Sequence, residues 1–238
     1  MSKLLTVFKR NRVFLPVIHP VSREIALRSI KVAVDSGADG IFLINQGMSS
    51  PEVLAFVPVV KELYPDLWIG VNLLENEAHE VIPRVKNLPI GGIWSDNAGI
   101  DELAGFQTVA AEFQEAREKH AWDGLYFGGV AFKYQRVVPP ELLPVAMFKA
   151  QEWVDVITTS GLGTGHAAEV DKVISMRSGG VTHPMALASG ISPENVDTFL
   201  PYVDAYLVAS GIETAKYSGV LVPELTRQLA DKIHSYKG

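Results

Sequence analysis

Eight short apolar runs, each followed by a stretch of helical character, constrain this chain more than any other feature. They read VFLPVI (13–18), GIFLIN (40–45), LWIGVNLL (67–74), GGIWSD (91–96), GLYFGGVAF (124–132), DVITTS (155–160), PMALAS (184–189) and AYLVAS (205–210). Continuous apolar runs, rather than strict alternation, suit parallel strands covered on both faces. The intervening segments are amphipathic. In SREIALRSIKVAVDSG, Ile25, Ile30, Val32 and Val34 form the apolar side, while Arg23, Glu24, Arg28 and Lys31 keep a wet one.

Boundary signals agree with this division. SSPEV (49–53) and ISPENV (191–196) each place Ser before Pro-Glu, predicting an N-cap with Pro at the first helical position. DSGADG and MRSGG supply glycine where helices should stop. Eight strand–helix units in 238 residues predict one (β/α)8 barrel, a TIM barrel of typically about 250 residues, filling 1–238 as a single domain. An open doubly wound sheet is disfavoured, because no G-x-G-x-x-G follows the first strand.

Composition narrows the function. A net charge of −6, with no basic run longer than Lys9-Arg10-Asn11-Arg12, argues against a nucleic-acid partner. The chain has no cysteine, which excludes disulfides, thiolate metal sites and cysteine nucleophiles. No segment approaches the roughly 18 apolar residues of a membrane span. The run VFLPVI is too short for a secretory core and holds a proline. The expectation is a cytoplasmic protein without membrane insertion; a homo-oligomer stays open.

In a (β/α)8 barrel, function sits at the C-terminal ends of the strands. Those positions hold His19, Asn45, Asn72, Asp96 with Asn97, Lys133, Ser160, Ser189 and Ser210. The last three strands end in TTSGLGTGH (158–166) and in two copies of ASGI, at 188–191 and 209–212. Small residues at three neighbouring strand ends suit a phosphate held by Gly161, Gly163, Thr164, Gly165, Ser189, Gly190, Ser210 and Gly211. The plainer alternative is that they merely make tight turns.

Lys133, the one charge in its run, is a candidate anion ligand, Schiff-base nucleophile or general acid, or else a partner for Asp96 across the mouth. Asp96 is the acid/base candidate, although Asp96-Asn97 could simply cap the next loop. His19 is the third catalytic candidate; Asn45, Asn72, Asn97 and Ser160 are candidates for holding substrate. No metal-ligand spacing such as H-E-x-x-H occurs, and no cofactor is implied.

GVNLLENE, SGLGTG and ASGISPENV…DAYLVASGIE together resemble the BtpA/SgcQ family of (β/α)8 proteins, from about His19 onward. The resemblance maps onto His19, Asn45, Gly70-Val71-Asn72, Lys133, Ser160-Gly161…Thr164-Gly165 and Ser189-Gly190…Glu194-Asn195. Two departures stand out. Glu75 and Glu77 replace the family's Arg and acidic residue, and IHPVS replaces a longer proline-rich opening; both imply a different or smaller ligand. The family includes a photosystem I biogenesis factor and members that accompany sugar-metabolism genes, so the resemblance also admits a non-catalytic assembly factor. The C-terminal third is similar to phosphoribosylanthranilate isomerase and other phosphate-binding barrels, although that isomerase's cysteine base has no counterpart here. The reading is an isomerase or lyase acting on a small phosphorylated sugar or ribose-phosphate metabolite. A phosphoribosyl-transfer enzyme would need an acidic pair for magnesium pyrophosphate, and none is evident.

Overall fold

The computed structural model describes residues 1–237, and each of the eight apolar runs contains a strand. The strands are β1 (Val13–Ile18), β2 (Ile41–Ile44), β3 (Ile69–Asn72), β4 (Gly92–Ser95), β5 (Leu125–Gly129), β6 (Val156–Ser160), β7 (Met185–Ala188) and β8 (Ala205–Val208). All pair in parallel with their sequence neighbours, and β1 pairs with β8 from Val13↔Ala205 to Pro16↔Val208, closing the barrel. It is a TIM barrel.

Two concentric cores explain the unbroken apolar runs. Along β1, Val13, Leu15 and Val17 point to the barrel axis, while Phe14 and Ile18 pack outward beneath the helices. Phe42 fills the axis, edge-on to Trp68, Trp94 and Phe127 at centroid distances of 5.3, 5.7 and 5.1 Å. Gly70 on β3 makes room for this ring, since a Cβ there would strike Phe42.

Helices α2 (Arg23–Asp35), α3 (Ser50–Leu63), α4 (Ala78–Val85), α5 (Thr108–Lys119), α6 (Leu143–Ala150), α7 (Val170–Arg177) and α8 (Pro223–Ser235) cover the outside. Ser49 caps α3, its N–H and hydroxyl both donating to Glu52, so that Pro51 falls at the second helical position. Gly37 and Gly180, both at positive φ, follow α2 and α7 as the glycine signals require.

Two further features depart from the sequence expectation. The helix expected from Ser192 after β7 is only a 3-10 turn, Val196–Thr198. There Asn195 accepts from Ser192 N–H and donates to Gly190 O, offering the backbone a local alternative to helix. Conversely, a helix α1 (Lys3–Phe8) precedes β1 and covers the N-terminal end of the barrel. Ser2 caps it at Leu5 N–H (3.3 Å), Leu4 enters the axial core, and Phe8 packs edge-on against Trp68. Burying a leucine in this way contributes about 1.5–3 kcal/mol. With one end filled, the opposite end, where the strands finish, is left open for ligands. Among the described residues no helix is long and apolar enough to cross a membrane.

Candidate functional site

Side chains alternate along a strand, so the axial residues of each strand predict which later positions face the mouth. Val17 on β1 leads to His19, Ile44 on β2 to Gln46, Trp94 on β4 to Asp96, and Leu207 on β8 to Ala209. All eight line one cavity of about 220 Å3, together with Leu74, Lys133, Tyr134, Thr164, Ser189, Ser210 and Tyr217.

The same parity turns Asn45 and Asn97 away. Asn45 donates to Ser50 and Glu75 and accepts from Leu74 N–H, so it ties β2 to the loop after β3. Asn97 is exposed and accepts from Gly99 N–H at 2.9 Å, which is a loop cap. Ser160 is fully buried, its hydroxyl accepting from Lys133 N–H at 2.8 Å and donating to Gly161 O at 3.0 Å. None of the three lines the mouth cavity. Asn72 stands one bond behind it, donating to Asp96 at 3.0 Å.

Burial pushes the Asp96 carboxyl above the usual carboxylate range; the Lys133 charge and the Asn72 amide pull it back less strongly. Lys133 does not pair with Asp96 directly. Its Nζ lies 3.1 Å from the Ser189 hydroxyl and 3.3 Å from that of Thr164. The ammonium therefore stands with the loops after β6 and β7, on the side away from an Asp96 ion pair.

His19 is buried, and its Nδ1 lies 2.7 Å from Glu213 Oε1. Glu213 is also buried and accepts from the N–H groups of Tyr217 (3.1 Å) and Gly219 (3.2 Å). A carboxylate at Nδ1 fixes the proton there and leaves Nε2 as the acceptor. Sequence reasoning missed Glu213, although it follows the second ASGI, where the first copy continues with Ser192. It also missed Gln46 and Tyr217. Tyr134, which lines the mouth, is 74% exposed and bridges two loops, its hydroxyl donating to Thr164 Oγ1 and accepting from Thr164 N–H. Those bonds lower its hydroxyl pKa.

The two ASGI copies divide their labour. The serines line the cavity; the glycines lock neighbouring loops together. A Cβ on Gly211 would stand 1.9 Å from Ile191 O in the loop after β7, and one on Gly190 would stand 2.0 Å from Ala167 N in the loop after β6. Gly161 likewise packs against His166 and Ala167. Gly163 is half-buried near His166 and Tyr134, whereas Gly165, at φ +82°, has open space around it. Ser189 itself holds φ +76°, a sparsely populated conformation costing about 1–3 kcal/mol, with its hydroxyl against Lys133. His166 is exposed and does not line the cavity.

Behind the mouth, Lys172 of α7 donates to Ala131 O and Ser160 O, clamping the loops after β5 and β6. Burial pushes its ammonium down to about 8, against the opposing pull of Glu169. Among the described residues no cluster of three or more His, Asp or Glu side chains could hold a metal ion.

No family model and no curated protein matches this chain, so the likeness to the BtpA/SgcQ family stands on its motifs alone. Solved structures do match. Phosphoribosyl anthranilate isomerase from Thermus thermophilus aligns over 94% of this chain and 98% of its own, with 18% identity and a TM-score of 0.63. Tryptophan synthase subunit alpha from Legionella pneumophila aligns over 99% and 100%, with 13% identity and a TM-score of 0.68. (S)-3-O-geranylgeranylglyceryl phosphate synthase from Thermoplasma acidophilum, in complex with sn-glycerol-1-phosphate, aligns over 99% and 100%, with 15% identity and a TM-score of 0.69. At these identities the likeness establishes a shared fold; two of these three enzymes are named for phosphorylated compounds.

Proposed function

We propose that the mouth is the active site of an enzyme of isomerase or lyase type acting on a small phosphorylated sugar or ribose-phosphate metabolite. One observation carries this reading. A single cavity joins a lysine between two hydroxyls, a desolvated carboxyl, and a histidine held by a buried glutamate. In this reading Lys133, Thr164, Ser189 and Ser210 bind the phosphate, a charge-assisted set worth more than neutral hydrogen bonds. His19 Nε2 takes a proton from the carbon beside a carbonyl group. Asp96, kept protonated to higher pH by burial, gives one to the carbonyl oxygen. For an isomerisation, His19 then gives its proton to the former carbonyl carbon while Asp96 takes back the proton of the neighbouring hydroxyl, whose oxygen becomes the new carbonyl. For a lyase, His19 instead removes the proton of the β-hydroxyl, and the Cα–Cβ bond breaks with its electrons passing to the carbonyl oxygen that Asp96 protonates. Lys133 acts here as an anion ligand rather than a Schiff-base nucleophile, because its Nζ is held by two hydroxyls. The structural neighbours support the substrate class by their names, and the fold supports the site's location.

The test is proton exchange. In deuterium oxide, a panel of phosphorylated aldoses and ketoses should include one that gains deuterium beside its carbonyl. His19→Asn and Asp96→Asn should each slow that exchange by about 10²-fold or more. Binding of the panel without exchange or turnover of any member would make the protein a non-catalytic binder.

A further inference from the structure

The mouth cavity does not end at the barrel axis. Lys133 and Tyr134 also line a second, adjoining space of about 450 Å3, between the loop after β5 and the loop and helix after β6. These two residues form a wall common to both spaces. At about 220 Å3 the mouth alone falls below the roughly 300 Å3 at which ligand sites begin, and the groove brings the joint site within that range.

The groove is apolar. Apart from Met1, the three most exposed large apolar side chains among the described residues are Leu162 (83%), Val137 (77%) and Tyr134 (74%), and all three line it. Both of its cations beyond Lys133 are engaged elsewhere, Arg136 in a bidentate pair with Glu102 and Lys172 on two backbone carbonyls, while the exposed carboxylates of Glu169 and Asp171 stand at its edge. Concentrated apolar exposure beside a polar cavity marks a binding surface. Tyr134 stands at the junction with φ +60°, a strained backbone position held by its bonds to Thr164.

Building on the proposed function, we infer that the substrate is amphiphilic: a phosphorylated metabolite whose phosphate sits in the mouth and whose uncharged apolar or aromatic group runs past Tyr134 into this groove. The wall that the two spaces share, Lys133 and Tyr134, argues for one occupant. A separate apolar molecule would leave Lys133 without a counter-charge, whereas one ligand with both ends satisfies lysine and groove together.

Calorimetric titration with inorganic phosphate and with methyl, butyl and hexyl phosphate tests this. Affinity should rise by about twofold to fourfold per added methylene as the chain enters the groove. The double variant Leu162→Asn/Val137→Asn changes only exposed side chains, so folding is not at stake. It should flatten the chain-length series and leave inorganic phosphate binding unchanged. Phosphate binding with no dependence on chain length would overturn the inference and spare the proposed function, as would a dependence that survives in the double variant. Absence of binding by inorganic phosphate and by every ester would overturn both.

Discussion

Replacing Gly211 or Gly190 with alanine should separate a loop-locking role from a ligand-binding one. At Gly211 the added Cβ would lie 1.9 Å from Ile191 O, and ordinary contact begins at 3.4 Å, so the two loops must part by more than 1 Å. Overpacking of that kind costs about 1–3 kcal/mol. Gly190 adds a second penalty. Its φ is +71°, which costs an L-residue about 1–2 kcal/mol, so the total there is about 2–5 kcal/mol. Gly165 serves as control, with φ +82° and open space, leaving only the conformational cost. Each kcal/mol lowers Tm by roughly 2–4 °C in a chain of this size. Thermal and urea unfolding without ligand should therefore rank Gly190→Ala as the most damaging of the three. A neutral Gly211→Ala, or a Gly190→Ala no worse than Gly165→Ala, would refute the claim that these glycines lock the loops.

Other outcomes follow from the charges. The raised Asp96 carboxyl holds its proton above the usual range, so its stabilising contribution is present at low pH and lost as pH rises through the raised value. Asp96→Asn should then be the more stable protein at pH 7 in thermal unfolding, while losing activity. For Lys172, lowered to about 8, the unfolded chain binds more protons between pH 8 and the ordinary lysine value of 10.5. Wild type should accordingly gain stability relative to Lys172→Met across that interval, read as the difference in urea midpoint. Glu213→Gln keeps an acceptor for only one of the Tyr217 and Gly219 N–H groups, which bond to different oxygens, and removes the carboxylate behind His19. The rate of deuterium exchange should fall by roughly 10²-fold or more at unchanged substrate affinity, as when a histidine's orienting carboxylate is made an amide.

Most of the barrel was legible because its strands are buried on both faces, so the first polar residue after each apolar run marks the C-terminal end. His19, Asp96, Lys133, Ser189 and Ser210 were reached this way, and Thr164 through the glycine-rich segment after β6; all line the mouth. Asn45 and Asn97 were drawn in by the same rule because it ignores parity, although parity alone would also have turned away Ser189 and Ser210, which line the mouth. Counting in twos from the axial Ile44 and Trp94 would have rejected Asn45 and Asn97 and selected Gln46. Ser160 shares the axial parity of Val156 on β6, but the backbone of Lys133 covers it. The helix after β7 was misread for another reason: Ser-Pro-Glu signals a start, but the Asn195 side chain ties the chain back to Gly190 before a turn of helix can form. At six residues, KLLTVF is too short to show a period, which hid α1. Glu213 was invisible as a partner because its relation to His19 spans 194 positions and exists only once the barrel closes.

The central claim, a phosphate held at the C-terminal mouth, is tested most directly by a crystal structure of the protein soaked in phosphate. The account predicts tetrahedral density within hydrogen-bond reach of Lys133 Nζ and the Ser189 hydroxyl, with the lysine drawn from its present hydroxyl partners toward the anion. Density instead at the far end of the barrel, among Arg10, Arg12 and His234, with Lys133 still seated on Ser189 and Thr164 in an anion-free mouth, would contradict it.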